Sequence, residues 1–273
     1  MTPSEDAAFA SLARQISQGA GVALDAYKDK CIRRRIAVRM RACGVHTYAD
    51  YQALLTRTPI EYQRLRDVLT INVTRFYRNP DTWKLLRQEL IPSLCPQVTG
   101  DIRIWSAGCA SGEEAYTTAV LFAEHFDRIG QPERLESVTV DATDIDRECL
   151  ERARSAQYRR EALTDMPAEL VQGYFQQAGL EYRVQPRVQR RVLVEQLDLN
   201  RDAPLRSDYH LLLCRNVVIY FDRPMQERLF LLFSQALAPG GYLVLGKVET
   251  LFGVARERLT LLDPRERVYR RPR

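Results

Sequence analysis

From Asp101 onward, short apolar runs alternate with segments of helical spacing, and that alternation leaves the chain few architectures to choose from. Residues 102–107 read as a strand and 113–126 as a helix. Residues 138–142 form a second strand that ends in Thr143-Asp144-Ile145-Asp146, where a helix opens. Leu193, Val194 and Leu197 mark a third strand, 210–214 a fourth and 242–245 a fifth, the last preceded by a helix over 225–237 and by Pro239-Gly240-Gly241. Residues 259–262 and 268–269 flank Asp263-Pro264 as a terminal hairpin. Apolar strands separated by helices predict a parallel sheet covered on both faces, an α/β doubly wound fold. Ligands of such sheets bind beyond the carboxyl ends of the strands. The polar residues there are Gly108 to Glu113, Asp144, Asp198, and Arg215 with Asn216.

The stretch from Ile104 to Tyr116 begins as an apolar run, breaks into Ala107-Gly108-Cys109-Ala110-Ser111-Gly112 and resumes as a helix. Small residues let backbone approach a ligand closely, and a helix N-terminus offers N–H donors. An ordinary strand-to-helix turn has the same appearance, so the loop alone does not decide.

Residues 1–92 carry helical spacing instead, as in Phe9, Leu12 and Ile16, with Gly19 and Gly21 interrupting. They predict an all-helical N-terminal domain ahead of an α/β domain over 93–273. Further helical patterns cover 48–55 and 60–69. Thr70 to Pro80 mixes β-branched, aromatic and cationic residues and reads as a non-helical connector, and Pro92 and Pro96 mark a boundary. The segment from Leu24 to Cys43 is the most basic in the chain. Its Lys28, Arg35 and Arg39 share one helical stripe, with Arg41 close by, and only Asp29 offsets the run. Such a stripe is either a solvated face or a docking surface for an acidic partner. Around Pro186, residues 173–192 depart from the alternation and predict a small inserted β-hairpin with Arg183, Arg187, Arg190 and Arg191.

Six scattered cysteines without a CxxC pair read as reduced thiols, and three isolated histidines give no metal cluster, so no metal is expected. The net charge of +5 does not require a nucleic-acid partner. No apolar run approaches the ~20 residues of a membrane span, and no signal-peptide pattern opens the chain, so a cytoplasmic protein is expected.

Glu113 narrows the cofactor. A carboxylate at that helix start would repel a pyrophosphate and suit a cationic amine, and the loop lacks both GxGxxG and GxxxxGK[ST]. Asp144 stands where a doubly wound fold places an acid for ribose hydroxyls, while Asp146 is better placed to cap the next helix. Together these favour S-adenosylmethionine over a dinucleotide.

The strings NVTRFYRNP, IWSAGCASGEEAY, DIDRECLERAR, CRNVVIYFD and GYLVLGKVETL, in that order and spacing, resemble the CheR family, the S-adenosylmethionine-dependent methyltransferases of chemoreceptor glutamates. The chain departs from the family pattern at Ala110 (often Ser), Ala115 (often Pro) and Asp198 (commonly Asn). The resemblance implies a class I methyltransferase sheet and the product S-adenosylhomocysteine. It implies that Asn72, Thr74 and Arg78 reach the cofactor, with Arg78 on the methionyl carboxylate. Glu113 would face the amino end, Asp144 the ribose, and Asp198 and Leu199 the adenine. Arg215 and Asn216 would line the site, and Tyr220 would stand near the transferring methyl, so Arg78 and Tyr220 are the expected catalytic residues. It also implies a protein partner, the cytoplasmic region of a chemoreceptor, with Lys28, Arg35, Arg39 and Arg41 as the expected docking residues. Because Ala178-Gly179-Leu180-Glu181 is a short link, a C-terminal receptor peptide is not expected to be used as a tether. A non-catalytic S-adenosylmethionine-binding regulator is the alternative.

Overall fold

The computed structural model describes residues 3–20, 24–69 and 72–273. The chain forms two compact units, one from the segment before Asn72 together with Tyr220–Gln226, the other from Asn72–Ile219 and Glu227–Arg273. Gly21, Thr70 and Ile71, which figured in the sequence reading, lie outside the described residues.

The first unit holds α1 (Pro3–Ala20), α2 (Asp29–Ala42), α3 (Tyr48–Arg57) and α4 (Ile60–Leu69). Helix α1 runs on through Gly19. Apolar residues three or four apart meet in one core: Phe9, Leu12 and Ile16 from α1, Ile32, Ile36 and Met40 from α2, Tyr51 and Leu55 from α3, Leu65 and Leu69 from α4. Thr47 starts α3 by accepting the Asp50 N–H on its hydroxyl at 3.1 Å. The returning segment is pinned by backbone: Lys28 N–H donates to the Tyr220 carbonyl at 2.9 Å and Asp222 N–H to the Ala26 carbonyl at 2.9 Å.

One buried carboxylate ties three of these elements. Glu61, 2% exposed, accepts both Arg39 Nε and Nη2 at 2.8 Å, the Tyr51 hydroxyl at 3.0 Å and the Cys43 thiol at 3.3 Å. Burial alone would raise its pKa, but those hydrogen bonds hold it below the ordinary glutamate value.

The second unit opens with the irregular segment from Asn72 to Asn79 and enters α5 (Pro80–Leu85). A π-wound turn over Leu86–Leu90 joins α5 to α6 (Ile91–Leu94). Pro92, predicted as a boundary, instead lies inside α6. It has no N–H to donate, and the widened turn precedes it. The helix around Trp83 belongs to this unit, so the division falls before Asn72, not near residue 92.

The main sheet follows: β1 (Ile102–Ala107), α7 (Glu113–Arg128), β2 (Val138–Asp144) and α8 (Arg147–Ser155). A small sheet is inserted here from β3 (Gln157–Arg159), α9 (Ala168–Tyr174), β4 (Phe175–Ala178) and β5 (Glu181–Val184). A helical turn, α10 (Pro186–Gln189), leads back to β6 (Val192–Gln196) and β7 (Tyr209–Cys214). Then come α11 (Arg223–Ala236), β8 (Leu237–Leu245), α12 (Val254–Arg258), β9 (Thr260–Asp263) and β10 (Val268–Arg270).

Seven strands lie in the order β6-β2-β1-β7-β8-β10-β9. β6, β2, β1, β7 and β8 run parallel, and β10 is antiparallel to both neighbours. From β1 the chain builds outward through β2 and β6, then returns to place β7 on the other side of β1. The topological switch point therefore falls between the carboxyl ends of β1 and β7.

The inserted element differs from the predicted hairpin. It is a three-stranded antiparallel sheet in the order β3-β5-β4, begun by Gln157–Arg159. Pro186 opens a helical turn, and Val192 already belongs to the main sheet. Phe76 of the connector is fully buried against it, edge-on to Tyr158 and Phe175 at centroid distances of 4.7 and 5.2 Å. The insert therefore holds the connector in place.

Glu61→Ala should cost the helical unit about 3–5 kcal/mol, because it leaves the Arg39 guanidinium without its carboxylate. The wild-type contribution is present above the unfolded glutamate pKa and is lost as pH falls through the lower folded value. Urea unfolding at pH 7 and at pH 3 should thus show a variant deficit that shrinks in acid. A deficit independent of pH would remove the charge from the explanation.

Candidate functional site

The loop after β1 is bent by three residues in the left-handed region, Gly108, Ala110 and Gly112, at φ 80°, 49° and 93°. Both Gly108 and Cys109 donate N–H to the Thr143 carbonyl, at 2.8 and 2.9 Å. Ala110 N–H donates to Asp144 Oδ2 at 2.8 Å, and Asp146 N–H to Asp144 Oδ1 at 3.0 Å. Asp144 thus braces the two strand ends that a ribose would sit beside. Burial raises its pKa, and those N–H donors oppose the rise. Asp146 caps α8, accepting from Glu148 and Cys149 N–H at 2.9 and 3.2 Å, and takes the Asn72 side-chain amide at 2.7 Å.

Glu113 is 5% exposed at the first turn of α7. The Ser111 hydroxyl donates to its carboxylate at 2.8 and 3.0 Å, and the Thr74 hydroxyl favours its ionised form. Burial pushes its pKa up; its own N–H, the two hydroxyls and the charge of Arg152 only partly offset this. A buried carboxylate held by hydroxyls is the complement of a cationic amine. At the end of β7, Asn216 is held at φ 60° and its Oδ1 is buried without a hydrogen-bond donor. This acceptor, the acid at β2 and the carboxylate of Glu113 fit the amine and hydroxyl donors of S-adenosylmethionine.

Arg215, expected to line the site, is held between Glu114 and the turn that carries Arg78. It is 6% exposed; Nη2 donates to the Arg78 carbonyl at 2.7 Å and to Asn79 Oδ1 at 3.2 Å, while Nη1 pairs with Glu114 at 3.4 Å. Its guanidinium lies 5.1 Å from the Trp83 ring centroid. Arg215 therefore clamps the turn that carries Arg78, in which Tyr77 and Asn79 both have positive φ, 58° and 62°. Burial pushes the Arg215 pKa down, and Glu114 counters it. The half-buried Arg78 donates Nη1 to the Val73 carbonyl at 2.7 Å. Asp198 accepts the Asn200 N–H at 2.9 Å, and Leu199 is buried beside it in the chain.

Two expected docking cations point inward within the helical unit. Arg35 is 7% exposed, donates Nη1 to the Leu69 carbonyl and lies over the Tyr220 ring at 4.9 Å. Arg39 is committed to Glu61. Both sit i+3 from core residues, Ile32 and Ile36, so they share the buried stripe. The exposed residues of α2 are Asp29, Lys30, Arg34, Val38, Arg41 and Ala42, with Lys28 exposed just before the helix.

Sequence reasoning missed three residues of the site. Glu114, adjacent to Glu113, takes the Ser106 hydroxyl at 2.9 Å as well as Arg215. Tyr158, from the first strand of the insert, donates its hydroxyl to the Ser111 carbonyl at 2.7 Å. Glu249 ties the loops after β7 and β8, its Oε2 accepting Gly246 N–H at 2.6 Å and Asn216 N–H at 3.0 Å. The Glu-Glu pair and the polar string after β8 were visible, but neither spacing nor residue type assigned them a partner.

A doubly wound sheet with strand order β6-β2-β1-β7-β8-β10-β9, closed by an antiparallel hairpin and carrying these acids at its switch point, defines a class I S-adenosylmethionine-dependent methyltransferase. Residues 72–266 match the family described as CheR methyltransferase, SAM binding domain, and residues 7–70 its all-alpha domain. The chain is 34% identical to the chemotaxis protein methyltransferase of Klebsiella aerogenes, covering 93% of this chain and 87% of that one. It is 32% identical to that of Escherichia coli, covering 94% and 88%. An uncharacterized 104.1 kDa protein of Rhodobacter capsulatus is 35% identical over 89% of this chain, which spans only 25% of that protein. The chain belongs to the CheR methyltransferase family.

Because the folded Glu113 pKa is raised, its ionised form weakens the fold at neutral pH, and that cost fades as pH falls toward the ordinary value. Glu113→Gln should therefore melt roughly 2–4 °C higher without cofactor, yet bind S-adenosylmethionine about tenfold or more weakly. Differential scanning fluorimetry and calorimetry check both signs. A variant that binds normally would sever Glu113 from the amine.

Proposed function

We propose that this chain transfers a methyl group from S-adenosylmethionine to glutamate side chains of a chemoreceptor's cytoplasmic region, leaving S-adenosylhomocysteine. The observation that carries the reading is Glu113, a buried carboxylate held by hydroxyl donors where a dinucleotide would need an anion site. The similarity to chemotaxis protein methyltransferases supplies the substrate class.

The chemistry asks little acid–base work of the protein. The bound cofactor supplies a sulfonium methyl, an electrophile whose departing sulfur becomes a neutral thioether. A glutamate carboxylate, with an ordinary pKa of about 4.3, is already the nucleophile. Its oxygen bonds to the methyl carbon as the carbon–sulfur bond breaks, and no proton moves. Placement is then the main demand. In this reading Glu113 and Thr74 hold the amino end, Arg78 the methionyl carboxylate, and Asp144 the ribose. Asn72 acts through Asp146, which it hydrogen-bonds. Asp198 and Leu199 flank the adenine, Asn216 lines the site and Arg215 orients Arg78. Tyr220 has the role that the family resemblance gives it, beside the transferred methyl.

For the receptor, the proposal moves to the cations that α2 exposes. Lys30, Arg34 and Arg41 recur at helical spacing with Val38, and Lys28 lies just before them. Such a stripe attracts a carboxylate-rich helix. The turn between β4 and β5 is only Gly179 and Leu180, which supports methylation without a peptide tether.

With a receptor cytoplasmic fragment and labelled S-adenosylmethionine, label should be incorporated and released by mild base. Base-stable label would point to another acceptor atom, and cofactor binding without incorporation to a regulatory module. Reversing Arg34 and Arg41 to Glu should cut receptor methylation about tenfold or more while cofactor affinity holds. Equal methylation would move docking elsewhere. Removing the receptor's C-terminal peptide should leave the rate unchanged.

A further inference from the structure

The loop after β8 carries a carboxylate whose arrangement is unlike that of a surface residue. Glu249 is 4% exposed, and it is held by main-chain N–H groups. Its Oε2 accepts Gly246 and Asn216 N–H, at 2.6 and 3.0 Å, and its Oε1 accepts Val217 and Ile219 N–H, at 3.0 and 3.3 Å. Both oxygens are thus used to gather the start of the loop after β7 onto the end of β8. Gly246 makes room for this, since a Cβ there would lie 2.7 Å from Glu249 Oε2 and 2.8 Å from Asn216 N.

The clip has consequences one strand further on. It bonds the N–H of Asn216, which is held in the left-handed region with its Oδ1 buried and waiting for a donor. It also fixes Val217, whose side chain fills the space beside Gly108; a Cβ on Gly108 would meet Val217 Cγ2 at 2.5 Å. Gly108 in turn belongs to the loop that ends at Glu113. One carboxylate therefore sets the conformation of one wall of the switch-point crevice and its spacing from the other. A glutamine has a single acceptor oxygen for four donors and turns an NH2 toward the rest.

We infer that Glu249 is a positioning residue for methyl transfer, acting on the cofactor site through the Asn216–Val217 backbone and through the contact of Val217 with Gly108. The inference rests on the cofactor reading above. Glu249→Gln should bind S-adenosylhomocysteine at least about tenfold more weakly than wild type. Its KM for S-adenosylmethionine should rise and its kcat fall, while its KM for the receptor fragment stays unchanged. Val217→Ala keeps the carboxylate and removes the side-chain contact with Gly108, so it carries the test even if Glu249→Gln fails to fold; it should weaken binding by about threefold or more. In the double variant the two losses should not multiply, because they act along one path. Both calorimetry and steady-state kinetics are read well below each variant's melting temperature. If wild type binds neither S-adenosylmethionine nor its product, the cofactor reading falls and this inference with it. If wild type binds and Val217→Ala or a folded Glu249→Gln binds equally well, or the losses multiply, the inference alone is overturned.

Discussion

The arrangement of the α/β unit depends on how carboxylates are kept buried at one edge of a parallel sheet. Glu113, Glu114, Asp144 and Glu249 all gather where β1, β2, β7 and β8 end, and burial raises the pKa of each. Carboxylates this close destabilise one another unless donors are supplied. The chain meets that demand mainly with main-chain N–H groups and hydroxyls. Glu249 takes four N–H groups, Asp144 takes those of Ala110 and Asp146, and Glu113 takes the Ser111 hydroxyl. Only Glu114 is paired with a buried cation, Arg215. The resulting edge has an excess of acceptors, which suits a ligand bringing an amine and hydroxyl donors.

Backbone strain follows from the same demand. The loops are left-handed at Tyr77, Asn79, Ala110 and Asn216, none of them glycine, and at Ala110 and Asn216 this turns an N–H toward a carboxylate, Asp144 and Glu249 respectively. Such residues cost about 1–3 kcal/mol each and persist only where surrounding contacts over-determine them. Arg215 gives that reinforcement at Tyr77 and Asn79, Asp144 at Ala110 and Glu249 at Asn216. Asn216, Asp144 and Arg215 belong to the cofactor reading themselves, and Tyr77 and Asn79 flank Arg78, so rigidity is spent next to the residues that must be oriented.

Much of this was legible from residue pattern. Strands with an apolar centre such as β7 and the small-residue break after β1 located the sheet and its ligand edge, because burial on both faces leaves a recognisable run. Glu113 was readable because helix starts favour anions, so an acid there argues against a phosphate ligand. The three-residue strand Gln157–Arg159 was not, since period-two alternation needs more residues than it has. Nor could Glu114 be told from Glu113, or the partners of Arg215 be named. Those distinctions depend on partners more than 100 positions away, Arg215 for Glu114 and the Tyr77–Asn79 turn for Arg215.

The basic helix shows the same limit from the opposite side. Local counting found only Asp29 against the cations of α2 and so favoured an unneutralised stripe. The missing anion is Glu61, two helices further along the chain in the first turn of α4, and it draws Arg39 inward. Arg35 follows because a guanidinium can satisfy a helix-end carbonyl, here Leu69, while its flat face packs on the Tyr220 ring. The spacing itself carried the clue: Arg35 and Arg39 fall i+3 from Ile32 and Ile36, on the stripe that must be buried, whereas Lys30, Arg34 and Arg41 fall on the other side. Charge sign alone favoured docking, and position relative to the apolar stripe decides which cations remain at the surface to do it.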